Sequence, residues 1–151
     1  MTPAPLTSTP TPQLGAEEII GESFSALELD CNTCSVEDIS RVSAAFRSTI
    51  HEVTELNAFG GWFDVLFRGS KENPAPEEVP MTTAPPGNTH WGQQVFLVSP
   101  PIRVLAGDVL EGKILLTRQQ VNHRLMWLQI RFTHSSGGVV SPERTLNFKI
   151  D

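Results

Sequence analysis

The chain has 151 residues and a formal net charge of −6, a length that fits one domain of ordinary size and leaves no room for two. Its apolar runs, such as residues 95–98 and 114–116, fall far short of the ~20 residues a membrane-spanning helix needs, so a membrane partner is not expected. The first forty residues hold seven acids and no Lys or Arg, while the other ten acids and all eleven bases lie beyond; the nearly neutral body lacks the basic footprint of a nucleic-acid binder.

Residues 1–15 carry four prolines and five Ser or Thr. Such a Pro/Thr-rich composition buries little apolar surface, and a disordered tail is expected there. The segment has no basic region followed by an apolar one, so no secretory leader is read from it, which agrees with an intracellular protein. Residues 16–22 suit either one amphipathic turn or a short lead-in strand.

From Phe24 onward the pattern is mostly β. Residues 24–30 alternate, and Ser35-Val36-Glu37-Asp38 has the form of a capping box, with Ser35 as N-cap and Asp38 at the third helical position. Only one helical turn is expected, because residues 41–53 then alternate with period two. Val42, Ala44, Phe46, Ser48 and Ile50 share one face of that strand.

Residues 62–68 form a further strand, with Phe63, Val65 and Phe67 on one side. Residues 69–78 read as a loop, and residues 78–83 as a short strand. The turn Pro85-Pro86-Gly87-Asn88 follows. Strands are expected at 91–99 and 102–105, separated by Pro100-Pro101, then at 109–118, 125–132 and 145–150. Gly107-Asp108 and Asn122-His123-Arg124 make turns, and residues 135–141 a flexible loop. About eight short strands and almost no helix predict an all-β fold, an antiparallel β-barrel or sandwich.

Cys31 and Cys34 are spaced as Cys-x-x-Cys. A zinc site needs four ligands, and His51, His90, His123 and His134 form no His-x₃₋₅-His pair. A redox motif would follow a strand and open a helix at its first cysteine. Two reduced cysteines are the simpler reading, and no metal is expected.

No Gly-x-Gly phosphate loop, Walker lysine or Gly-x-Ser-x-Gly elbow occurs. One constellation stands out, Thr89-His90-Trp91 at a loop-to-strand junction. An imidazole there can carry a proton, and an indole can stack on a guanidinium. By residue type alone, a surface histidine beside a half-buried tryptophan at a barrel rim is the favoured reading, as packing is for Trp62 and Trp127.

From about residue 22 to the end, the sequence resembles the C-terminal half of the protein arginine methyltransferases. The resemblance rests on several motifs in order: Asp30-Cys31-Asn32-Thr33-Cys34-Ser35-Val36-Glu37-Asp38-Ile39, Gly61-Trp62-Phe63-Asp64-Val65, Thr82-Thr83-Ala84-Pro85, Thr89-His90-Trp91-Gly92-Gln93-Gln94, Pro101-Ile102-Arg103-Val104 and Gly107-Asp108-Val109-Leu110-Glu111-Gly112. Asn122-His123-Arg124-Leu125-Met126 leans toward a plant-type branch.

The resemblance implies a β-barrel that follows a Rossmann-like domain in enzymes moving a methyl group from S-adenosylmethionine to a protein arginine. The cofactor loop, the two glutamates of the double-Glu loop and the dimerisation arm have no counterpart in this sequence. The expectation is therefore a tail at 1–15 and a barrel domain at 16–151 that binds no cofactor and is inactive alone. The Thr-His-Trp loop does carry over. His90 is expected to pair with an acid of the Rossmann-like domain and help handle protons, Trp91 to line the arginine pocket, and Thr89 to shape the loop. The expected partners are an arginine-containing protein substrate, the missing Rossmann-like domain, or a full-length family member. The alternatives are a stand-alone β module binding arginine-rich peptides or such a member, and a truncated product with an exposed, aggregation-prone interface.

Overall fold

The computed structural model describes residues 6, 7, 9, 10, 13–87 and 89–150. In chain order the strands are β1 (Leu6–Thr7), β2 (Thr9–Pro10), β3 (Arg41–Thr49), β4 (Thr54–Gly61), β5 (Asp64–Gly69), β6 (Pro74–Thr82), β7 (Gln94–Val104), β8 (Val109–Arg118), β9 (Met126–Ser136), β10 (Val139–Val140) and β11 (Arg144–Ile150). A one-turn helix, α1 (Val36–Ser40), precedes β3, and a 3₁₀ turn spans Ala16–Glu18. Three of the strands are two-residue pieces, which leaves eight of ordinary length, the number read from the sequence.

One sheet runs β1-β11-β9-β8-β3, with β10 paired to β9; a second runs β2-β7-β4; a third is the β5-β6 hairpin. Pairing is antiparallel except between β1 and β11. The core lies between the first two sheets. Leu56 of β4 and Phe96, Val98 and Val104 of β7 meet Phe46, Leu110, Ile130, Phe132 and Phe148 of the larger sheet. Edge-on contacts from Phe46 to Phe59 and from Phe59 to Phe132 cross that interface at centroid distances of 5.9 and 5.2 Å.

The face expected of β3 is the buried one: Val42, Phe46, Ser48 and Ile50 are inside, and Ala44 is half-buried. The capping box also forms. Ser35 Oγ accepts from the Asp38 N–H at 3.3 Å, and the Asp38 carboxylate accepts from the Ser35 N–H at 2.8 Å. Asp38 is held below the usual carboxylate range by the Ser35 N–H and then by its hydroxyl. The 16–22 segment combines both expected forms, since the 3₁₀ turn is followed by a single bridge from Gly21 to Ile50.

Several expectations are corrected. Residues 24–30 form no strand, because no neighbouring strand pairs with them; instead Phe24 stacks on Phe46 at 4.7 Å. The strand β4 was not expected, since its alternation runs only from Thr54 to Ala58 and then breaks at Phe59 and two glycines. The loop read at 69–78 is largely β6. Prolines are tolerated there because β6 pairs only with β5 and its other edge needs no donor. Pro100-Pro101 does not divide two strands. It lies in β7 opposite Asn57, where the register with β4 slips and no ladder N–H is required. Arg144 donates from its guanidinium to the carbonyls of Ser99 and Pro100 at 2.9 and 3.0 Å, satisfying that irregular stretch. The loop at 135–141 is a tight hairpin in which Gly137 and Gly138 both have positive φ, as a type I′ turn demands.

Of the residues read as a disordered tail, 1–5, 8, 11 and 12 lie outside the described residues. Leu6–Thr7 pairs with β11, and Thr9–Pro10 pairs with β7. Among the described residues no helix is long and apolar enough to cross a membrane.

Candidate functional site

The loop between β6 and β7 carries Thr89-His90-Trp91, and two buried polar side chains frame it. Thr83, 0% exposed, directly follows β6. Its hydroxyl donates to the Phe63 carbonyl at 2.8 Å and accepts from the Phe63 N–H at 3.1 Å. Its own N–H donates to the same carbonyl at 3.2 Å. Gln93, 1% exposed, stands just before β7. Its amide nitrogen donates to the Thr83 carbonyl at 2.7 Å, and its amide oxygen accepts from the Leu14 N–H at 2.8 Å.

These bonds close the loop at its base, so the path from Thr83 to Gln93 begins and ends at one point. A buried polar group without a partner is costly, which makes the closure specific. Beside it, the Thr82 hydroxyl donates to the Asp64 carboxylate at 2.6 Å and accepts from the Ala84 N–H at 3.1 Å.

Within the loop, Thr89 Oγ1 accepts from the Trp91 N–H at 3.3 Å, and the Gln13 side chain donates to the Thr89 carbonyl. The His90 and Trp91 rings lie 5.0 Å apart at 33°. Phe63 meets the Trp91 indole nearly edge-on, at 5.7 Å and 76°. Trp91 is nevertheless 49% exposed and Phe63 45% exposed. The indole is thus fixed on one side and open on the other. Among the described residues the His90 ring has no hydrogen-bond partner. An open groove of about 470 Å³ runs beside the loop, lined by Pro80, Thr82, Pro85, Pro86 and Thr89 among others.

The three residues singled out in the sequence therefore sit together on a single anchored loop. Sequence reasoning did not single out Thr83, Gln93 and Phe63 as its frame. The motifs contained them, but a buried threonine or glutamine looks like any polar loop residue until its partners are known.

A second polar couple escaped the sequence reading. Asp108, buried, accepts from His134 Nε2 at 2.7 Å and from the Leu105 N–H at 2.9 Å. Burial pushes the Asp108 carboxyl up. The opposing hydrogen bonds from Ser136, Leu105 and His134 win, and hold it below the usual range. The couple ties the β7–β8 turn to β9, and the Asp108 carbonyl accepts from the Ile50 N–H at 2.8 Å. Gly107, with φ of 88°, supplies the left-handed position this turn needs. Among the described residues no group of three His, Cys, Asp or Glu side chains is placed to hold a metal ion.

Residues 4–137 match the family model for the arginine methyltransferase oligomerization subdomain. The chain is 42% identical over 142 residues to the protein arginine N-methyltransferase PRMT10 of Oryza sativa subsp. japonica, covering 91% of this chain and 37% of that protein. To the PRMT10 of Arabidopsis thaliana it is 48% identical over 120 residues, covering 78% of this chain and 31% of that protein. The crystal structure of Arabidopsis thaliana protein arginine methyltransferase 10, described as uniquely open, superposes with a TM-score of 0.87 at 38% identity, over 97% of this chain and 43% of that one. A Trypanosoma brucei PRMT1 enzyme–prozyme heterotetrameric complex with AdoHcy shares the fold, with a TM-score of 0.83 at 19% identity over 97% of this chain and 44% of that one. The chain thus spans well under half the length of these relatives.

Proposed function

The chain belongs to the protein arginine methyltransferase family, as the C-terminal subdomain of its plant-type branch, and from this we propose that it is the substrate-side half of an S-adenosylmethionine-dependent arginine N-methyltransferase. It works in the nucleus or cytosol. The observation that carries the reading is the anchored Thr89-His90-Trp91 loop, whose indole is braced by Phe63 yet open to a ligand.

The chemistry sets what this half can do. An arginine guanidinium stays protonated near pH 7, because its pKa exceeds ~12. Methyl transfer to it requires a nitrogen to be oriented by carboxylates and a proton to be removed at or after transfer. Trp91 supplies a flat apolar wall against which a guanidinium can lie. His90, with its ring open, is available to pair with an acidic residue of another domain and hold a proton. Thr89 orients both through its bond to the Trp91 N–H. The groove beside the loop is lined, among the described residues, by prolines, small residues, Met81 and threonines. It offers no charged partner for a sulfonium cofactor and does not fit one. In this reading the carboxylates and the cofactor belong to another domain, and this chain alone is inactive.

Titration calorimetry with S-adenosylmethionine, paired with a methyl-transfer assay on an arginine–glycine-rich peptide, tests this. The expected result is neither binding nor transfer by the chain alone, with transfer appearing when a family cofactor domain is supplied. Saturable one-to-one cofactor binding would overturn the assignment. A second reading draws on the matched subdomain's oligomerization role. In it the chain acts as an interaction module that binds a full-length family member, and co-elution with such an enzyme would support it.

A further inference from the structure

We propose that Cys31 and Cys34 are a reversible redox site, closing to an intrachain disulfide by exchange with a low-molecular-weight disulfide such as oxidised glutathione. Both cysteines are free and exposed. Neither takes part in the loop described above.

The backbone brings them together. The Asp30 carbonyl accepts from the Thr33 N–H at 3.0 Å and from the Cys34 N–H at 2.8 Å. Those bonds wind residues 31–33 into one helical turn. The Asp30 carboxylate accepts from the Asn32 N–H at 2.9 Å and from its side-chain amide at 3.1 Å, which fixes the turn from its start. Residues three apart on such a turn share a side, with β-carbons about 5–6 Å apart. A disulfide needs about 3.8 Å, so closing the pair asks for a contraction of only about 1–2 Å. Residues 22–35 lie outside every named strand and helix, so that contraction changes no sheet register. This is not the arrangement in which a helix opens at the first cysteine, since α1 begins at Val36. The pair is a surface turn that exchange can lock, directly ahead of the Ser35 cap.

The exchange balances in two steps. The thiolate of one cysteine attacks a sulfur of the small disulfide, forming a mixed disulfide and expelling one small thiolate with the bonding electron pair. The second cysteine, deprotonated, attacks the protein sulfur of that mixed disulfide, forming the Cys31–Cys34 bond and expelling the second small thiolate. Two protein thiols are oxidised, and one small disulfide is reduced to two thiols.

The test incubates the full chain in buffers of defined reduced-to-oxidised glutathione ratio, alkylates it, and reads intact and peptide masses. The expected result is a concerted loss of both alkylatable thiols and of the mass of two hydrogen atoms, reversed by reductant. Cys31→Ser and Cys34→Ser, both at exposed positions, should each accumulate a stable glutathione adduct that the parent does not retain. Independent modification of the two thiols in the parent, stable adducts on it, or disulfide-linked dimers as its main product would each overturn the proposal.

Discussion

The side-chain amide of Gln93 donates to the main-chain carbonyl of Thr83 at 2.7 Å, and neither residue is accessible to solvent beyond 1%. The contact joins the end of β6 to the start of β7, and it makes the intervening loop a closed unit. Gln93 also accepts from Leu14, and Thr83 exchanges hydrogen bonds with Phe63. One buried node thus holds four stretches of chain around Trp91.

Replacing either residue should loosen that node. Thr83→Val keeps the shape but strips both hydroxyl bonds, and Gln93→Leu leaves the Leu14 N–H and the Thr83 carbonyl without partners. Each is expected to cost about 1–3 kcal/mol, the usual penalty for orphaning buried polar groups. Urea unfolding followed by tryptophan fluorescence measures it. A change below about 0.5 kcal/mol would mean that water replaces these partners readily.

Gly112 of β8 faces Phe132 of β9 and Phe46 of β3 across the ladder. A β-carbon there would overlap the Arg131 carbonyl oxygen and lie 2.9 Å from Phe132 Cα, so backbone would have to move. Gly112→Ala is expected to destabilise by about 1–3 kcal/mol or more, as overpacking does. Gly107→Ala differs in cause. Its site is open, and the cost of about 1 kcal/mol arises from φ alone. Denaturant midpoints of the two variants, compared side by side, should rank Gly112→Ala as the more damaging.

The Asp108 carboxyl is held below its ordinary value of 3.8 in the folded chain. The unfolded chain therefore binds its proton more readily. The stability this group contributes is complete above about pH 4–5 and is lost as pH falls through the lower folded value. Asp108→Asn is expected to unfold at lower denaturant near neutral pH and to show a shallower fall in stability between about pH 5 and pH 2. Urea midpoints of parent and variant across that range check the sign. An equally steep acid limb in Asp108→Asn would shift the acid sensitivity to other carboxylates.

His90 is exposed, and His90→Ala is expected to change stability by less than about 0.5 kcal/mol. Trp91 is half-covered and packs on Phe63, and Trp91→Ala is expected to cost about 1–2 kcal/mol. If the loop forms an arginine pocket, each variant should bind an arginine-rich peptide more weakly than the parent. In a complex with a cofactor domain, each should also slow methyl transfer. Fluorescence anisotropy with a labelled peptide separates the outcomes, and parental affinity in both variants would remove the pocket from this loop.

Much of the architecture was legible in the sequence because burial imposes period two. The face of Val42, Phe46, Ser48 and Ile50, the Ser35–Asp38 box and the turn at Gly107 each depend on residues close in the chain. Local sterics and alternation specify such features without reference to distant partners. The family's ordered motifs likewise marked Thr89, His90 and Trp91 as belonging together.

What only the tertiary structure decided depends on partners far apart in sequence. Residues 24–30 alternate like a strand but find no strand to pair with, whereas 54–61 alternate poorly and are drafted by β7. Two prolines that ought to end a strand sit in a bulge whose exposed carbonyls Arg144 satisfies from 44 residues away. The clamp of Gln93 on Thr83 and the Asp108–His134 couple arise only when folding brings each pair together. A polar residue in a sequence carries its donors and acceptors with it, but whether they end in water or in a buried partner depends on the packing of the whole chain.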